Sequence, residues 1–304
     1  MRIIKYKKSI QIISLITIFL ILTGCNITLM DPKGTISIEQ KKLIITSLIL
    51  MLIIVIPVIF MTIFFAIKYR ENNKYATYQP NWEKSNKIEL FCWAIPIVII
   101  FILAIITWKT THILDPYKPL IHKKKPITIQ VIASDWKWIF IYPENNIATI
   151  NEIAFPINIP INFKITSVSV MNSFFIPDLG SQIYAMPGMQ SKLHLMANQA
   201  GIYKGFSSSY SGHGFSDMKF NIIATDNIKS FEDWIEKVKK SKKKINSISQ
   251  FNKLIKPSYN VTATYFSSVK TNLYKDIVLQ FNHIHHIKNT NQIINPSKHS
   301  LQKK

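Results

Sequence analysis

Ile127-Thr128-Ile129-Gln130-Val131-Ile132, followed by Asp135-Trp136-Lys137-Trp138-Ile139-Phe140-Ile141-Tyr142, is the stretch that decides the fold of this chain. Successive side chains of a strand point to opposite faces, so apolar residues at alternate positions describe a strand with one face in a core. Further short runs are Ile157 to Thr166, Ser191 to Met196, Gly201 to Phe206 and Met218 to Ala224, bounded by Pro, Gly and Asn. Strands at this spacing predict an antiparallel β-sandwich over residues 126–225. After Thr225 the strands are expected to stop. Phe231 to Val238 and Thr271 to Phe281 have helical spacing, which makes residues 226–282 a short helical C-terminal extension. Residues 283–304 are polar and are expected to be disordered. They include His283, His285, His286 and His299, read as a solvated tail rather than a metal site.

On the N-terminal side, residues 43–67 carry no charged side chain. At about 1.5 Å per residue they cross a hydrocarbon core of roughly 30 Å, and Pro57 is tolerated inside such a helix. A second span covers residues 89–109, with Trp93 and Trp108 as interfacial aromatics. A buried hairpin of a soluble protein is the poorer reading, since soluble helices rarely run so long without a polar face. Together these segments predict a membrane protein: a transmembrane helical hairpin, then a linker (110–125), then the all-β domain.

Upstream, Lys5, Lys7 and Lys8 precede an apolar run, Ile10 to Leu22, too short to span a bilayer. This is the pattern of a secretory signal over residues 1–24. It ends in Leu22-Thr23-Gly24-Cys25, which resembles the lipobox of bacterial lipoproteins. That resemblance implies a covalent lipid on Cys25, which would become the mature N-terminus on the outer face. Residues 25–42 would then be outside and the loop 68–88 cytoplasmic. The loop holds Lys68, Arg70, Lys74, Lys84 and Lys87 against Glu71 and Glu83, as the positive-inside rule expects.

Composition excludes little else. The formal net charge is +21, yet Arg2 and Arg70 are the only arginines among 37 basic residues. Abundant Lys, Ile and Asn, all with AT-rich codons, point to compositional drift. No basic stripe interleaves with stacking aromatics, so nucleic acid is not an expected partner. Cys25 and Cys92 are the two cysteines. The β-domain therefore has neither a disulfide nor a thiolate ligand.

Two membrane helices followed by a sandwich opening on Asp135-Trp136-Lys137-Trp138 resemble subunit II of the haem–copper respiratory oxidases, whose outer domain is a cupredoxin. In the cytochrome c oxidase branch, that domain holds a binuclear copper centre on two Cys, a Glu position, two His and a Met. The resemblance places Asn172, Ser207, Ser209, Ser211 and Phe215 at those ligand positions, and only Met218 matches. Hydroxyls are too hard and too weakly acidic to replace bridging thiolates. The loss pattern, with Asn172-Ser173-Phe174-Phe175-Ile176-Pro177, Gly180-Ser181-Gln182-Ile183-Tyr184-Ala185-Met186 and Tyr265-Phe266-Ser267-Ser268-Val269-Lys270, resembles the ubiquinol-oxidase branch of cytochrome bo type. This resemblance implies a non-catalytic subunit of a proton-pumping ubiquinol oxidase in the bacterial inner membrane, with the sandwich in the periplasm. Haem and copper would reside in subunit I, and this chain would bind no cofactor. A copper-bearing cytochrome c oxidase subunit and a free-standing lipoprotein module are the alternatives.

Glu89 lies at the inner end of the second span, where the resemblance implies a role in proton uptake; an ordinary interfacial carboxylate is the plainer reading. Trp136 and Trp138 are read as packing residues. His194 and His213 are expected to be exposed, and Cys92 to be a buried apolar residue.

Overall fold

The computed structural model describes residues 28–71, 73, 75, 77 and 83–280. Cys25 and the histidines of the tail lie outside the described residues. Helix α1 runs Thr35–Lys68 and α2 runs Asn86–Ile113. Both are long and apolar enough to cross a membrane. Each exceeds its apolar stretch, α1 beginning at Thr35 rather than Leu43. The reason is physical: 34 residues at about 1.5 Å each overrun a core of roughly 30 Å, so the first turns of α1 stand clear and dock on the sandwich.

That docking is specific. Gly34 caps α1 in an extended conformation. The Ser37 hydroxyl accepts the Gly34 N–H at 3.1 Å and donates to the Asp178 carbonyl at 2.8 Å. Lys33 N–H reaches the same carbonyl at 2.9 Å, and Thr35 Oγ1 donates to Asn198 at 2.8 Å. A Cβ on Gly34 would lie 2.7 Å from the Leu179 carbonyl oxygen and 2.9 Å from that of Met196. Gly34→Ala should therefore cost about 1–3 kcal/mol, read as a lower unfolding midpoint of the full chain in detergent.

The sandwich comprises β1 (Ile127–Ser134), β2 (Lys137–Tyr142), β3 (Ile147–Ile150), β4 (Glu152–Pro156), β5 (Ile161–Ser167), β6 (Asn172–Phe175), β7 (Ile183–Ala185), β8 (Ser191–Leu195), β9 (Gly201–Ser207), β10 (Lys219–Thr225) and β11 (Thr264–Phe266). Its six-stranded sheet has the order β11-β3-β2-β1-β5-β8, and its five-stranded sheet β4-β10-β9-β6-β7. The expectation of a purely antiparallel sandwich is corrected here, because β1–β5 and β4–β10 pair in parallel. The chain leaves one sheet for the other at β4, so β1 and β5 meet through a crossover instead of a hairpin. Trp138, Phe140, Phe163, Phe174 and Phe220 fill the space between the sheets.

The strands do not stop at Thr225. β11 pairs antiparallel with β3, Tyr265 opposite Thr149; it is too short to carry a periodic signal. The rest of the extension is α3 (Ile228–Lys239), α4 (Ile248–Leu254) and a helix over residues 273–280. Asn227 caps α3 by accepting the Ser230 N–H at 2.8 Å. Phe231, Trp234, Ile235 and Val238 bury its apolar stripe. Phe251, Phe266, Leu273 and Ile277 cover Ile132, Ile139, Ile141 and Ile150 on the outer face of the larger sheet. That sheet is thus covered on both faces, which is why every residue of β2 is buried.

Two further expectations are corrected. His194 is buried at 9% exposure, its Nδ1 donating to the Pro116 carbonyl at 3.0 Å; it ties the linker from α2 to β8. Cys92 is exposed on the surface of α2. His213 is exposed, as expected.

Candidate functional site

At one end of the sandwich, β6 and β9 place Asn172 and Ser207 side by side, 1% and 2% exposed. The antiparallel pairing Phe174↔Ser207 sets their register. The Ser207 hydroxyl lies 3.3 Å from Asn172 Oδ1 and 3.2 Å from the Ser209 carbonyl, with a proton for either. It accepts the Ser173 N–H at 3.4 Å. Asn172 Nδ2 donates to the Val170 carbonyl at 3.1 Å, which fixes the orientation of the amide. Met218 is fully buried, and its carbonyl accepts the Ser207 N–H at 3.1 Å and the Trp138 indole N–H at 3.4 Å. Ser211 uses its carbonyl to accept the Trp136 indole N–H at 3.2 Å, while its hydroxyl is buried without a hydrogen-bond partner among the described residues.

Asn172 and Ser207 therefore meet through their side chains, and Ser209 and Met218 reach Ser207 through their backbone carbonyls. Phe215 does not join them; its ring packs against Tyr210 at 5.7 Å. Ser173 and Ser208 extend the network, their hydroxyls 2.8 Å apart and both bonded to Gln182. These three residues were not singled out from sequence. A signal was present, since each serine adjoins a ligand-position residue, but alternation argues against neighbours sharing a site. Here the strand ends and the loop bends, so they do.

The donor set is neutral hydroxyls and amides that, Ser211 apart, are hydrogen-bonded within the cluster. It does not fit a copper centre, which needs thiolate or imidazole to hold the metal and spread its charge. Removing one partner exposes the network's energetics: Ser207→Ala would leave the Ser173 N–H without its acceptor. It should cost about 1–3 kcal/mol, measurable by denaturant unfolding.

Trp136 covers the mouth of this region. It sits in the β1–β2 turn with φ +61°, a costly conformation for a bulky residue. Its ring stacks on Tyr259 of the extension at 4.7 Å between centroids, and a Cβ on Gly214 would lie 2.4 Å from the ring. Trp138 packs in the core, edge-on to Phe174 at 5.3 Å. A second tether joins the layers: Glu152 accepts from the Trp234 indole at 3.1 Å and from the Tyr265 hydroxyl at 2.6 Å. Burial and that bond to Glu152 push the Tyr265 phenol above its ordinary range. Glu89 lies apart from all of this, exposed in the first turn of α2.

Fold and site define a class: a cupredoxin-like domain on a pair of long apolar helices, with a buried polar network between β6 and β9. Residues 143–225 match the family described as cytochrome C oxidase subunit II, periplasmic domain, and residues 239–285 match the COX aromatic rich motif. The cytochrome bo(3) ubiquinol oxidase subunit 2 of Buchnera aphidicola subsp. Baizongia pistaciae is 52% identical over 278 residues, 91% of this chain and 97% of that protein. Its counterpart in Pseudomonas aeruginosa is 55% identical, covering 87% of this chain and 79% of that protein. The ubiquinol oxidase subunit 2 of Acetobacter aceti is 51% identical, covering 86% and 85%. The chain belongs to the subunit 2 family of the respiratory ubiquinol oxidases.

Proposed function

We propose that this chain is a subunit II without a redox centre, in a proton-pumping ubiquinol oxidase of the bacterial inner membrane. The observation that carries this reading is the Asn172–Ser207 pair, hydrogen-bonded where a copper centre would need imidazole and thiolate. A water-soluble electron donor outside the membrane requires a relay metal in the outer domain. Ubiquinol dissolves in the bilayer and reaches the haem-bearing subunit directly, so the relay is dispensable. The chain's own work is then structural. α1 and α2 pack in the membrane beside subunit I, and the helix-to-sandwich dock holds the β-domain in the periplasm over it.

Two residues have further roles in this reading. Glu89, in the first turn of α2, takes up protons at the cytoplasmic side. Cys25 carries a covalent lipid after removal of residues 1–24. The intact mass of the mature chain should therefore correspond to a diacylglyceryl-modified N-terminal Cys25 with N-acylation; an unmodified Cys25 or a retained Met1–Gly24 segment would contradict the anchor. Cys25→Ala should leave the chain in the membrane, because two helices already hold it there.

The test of the function is donor choice. The purified complex should consume oxygen with ubiquinol and not with reduced cytochrome c. Comparable rates with cytochrome c would overturn the reading.

A further inference from the structure

The C-terminal extension forms a pocket of about 390 Å³ on the outer face of the six-stranded sheet. Lys137, Lys243, Lys253 and Lys256 line it, with Ile150 and Phe266 on its apolar wall, and no carboxylate is among its lining residues. Lysines are so abundant in this chain that the exposed three carry little weight alone. Lys137 is different, because it is only 3% exposed. Its ammonium donates to the Lys256 carbonyl at 2.8 Å and to the Ser258 hydroxyl. An ammonium has three donors, so one remains for the pocket.

Among the described residues no carboxylate forms a salt bridge with Lys137. A buried charge with no carboxylate at ion-pair distance and one donor unfilled is unfavourable. Burial accordingly pulls the ammonium below the ordinary lysine range, against the opposing charge of Asp135. An anion in the pocket would supply both the missing acceptor and the counter-charge. We infer that this pocket is a binding site for a phosphate group bearing a short apolar substituent. Lys137 is the buried anchor, Lys243, Lys253 and Lys256 form the electrostatic rim, and Ile150 and Phe266 form the apolar wall. The site goes beyond the respiratory role and does not depend on it.

The pocket also has a mechanical consequence. Lys137 holds residues 256–258, and the next residue, Tyr259, stacks on Trp136. Occupancy would therefore tighten the cover over the Ser/Asn network.

The test uses the full chain in detergent, titrated at constant ionic strength with inorganic phosphate, butyl phosphate or chloride. Unfolding midpoint and amide exchange over residues 253–261 are the readouts. Both phosphates should raise the midpoint saturably and slow exchange, butyl phosphate at several-fold lower concentration, while chloride does neither. Lys137→Met should weaken butyl phosphate at least tenfold. Lys253→Gln with Lys256→Gln, both at exposed positions, should weaken it severalfold without lowering the midpoint of the unliganded chain. Incorporation into discs of anionic or zwitterionic lipid separates the sources. Protection in anionic discs without added phosphate makes the group a lipid headgroup, and protection only on adding butyl phosphate makes it a soluble ester. Equal responses to chloride and phosphate, or phosphate responses unchanged in the rim variant, would overturn the site.

Discussion

Glu89→Gln in the assembled oxidase should lower quinol turnover by about a hundredfold, at the lower end of what positioned acid–base groups supply. A carboxylate at the inner helix end can take a proton from bulk water and pass it on; an amide of the same shape cannot. The loss should deepen as pH rises and protons become scarce, and Glu89→Asp should restore part of the rate. Haem content of the variant should be normal. Glu89 is exposed in the first turn of α2, where a negative charge also favours the helix dipole by about 0.3–1 kcal/mol. A purely structural role would appear as reduced assembly with unchanged turnover per haem. Unchanged turnover across pH would leave Glu89 an ordinary interfacial carboxylate.

The unmodified chain should show no purple or blue thiolate–copper absorption after copper loading. The combined changes Asn172→His, Ser207→Cys, Ser209→Glu, Ser211→Cys and Phe215→His, with Met218 retained, should bring a binuclear copper centre and its absorption. Positions 172 and 207 already adjoin, their polar atoms 3.3 Å apart, and Ser211 has a buried hydroxyl without a partner among the described residues. Phe215 is the weak point, since its ring packs on Tyr210 and the loop must re-aim it. Single changes leave an incomplete ligand shell and should bind copper poorly. The His-bearing tail beyond residue 282 is truncated in all samples so that loose surface copper is not counted. Tight stoichiometric copper in the unmodified domain would contradict the reading.

Much of this was legible in the sequence because the signals were of one clear period. The uncharged run over residues 43–67 identifies a membrane helix, and the alternation in Ile127 to Ile132 identifies β1. The signals failed where tertiary burial overrides alternation. β3 is buried throughout and so shows no polar face, because the extension covers one side of its sheet and the sandwich core the other. β11 has three residues and is defined by its partner β3 instead of its own pattern. The start of α1 was missed since residues 35–42 include Glu39, Gln40, Lys41 and Lys42, and its first turn docks on the sandwich through Thr35 and Ser37. His194 was misjudged because its partner is a linker carbonyl distant in sequence. At the site, the residue identities were readable one by one. That Asn172 and Ser207 bond to each other, with Ser173, Ser208 and Gln182 around them, depends on the β6–β9 pairing, which the sequence does not state.

The most direct test is to pull the chain from detergent-solubilised membranes under non-denaturing conditions and record a haem spectrum with a copper count. The expected result is co-purification with a haem-bearing subunit at constant stoichiometry. Copper should be confined to that partner, and this chain should lose none when the subunits are separated. Recovery of the chain alone, without haem, or of copper held by this chain, would contradict its assignment as a copper-free subunit of a ubiquinol oxidase.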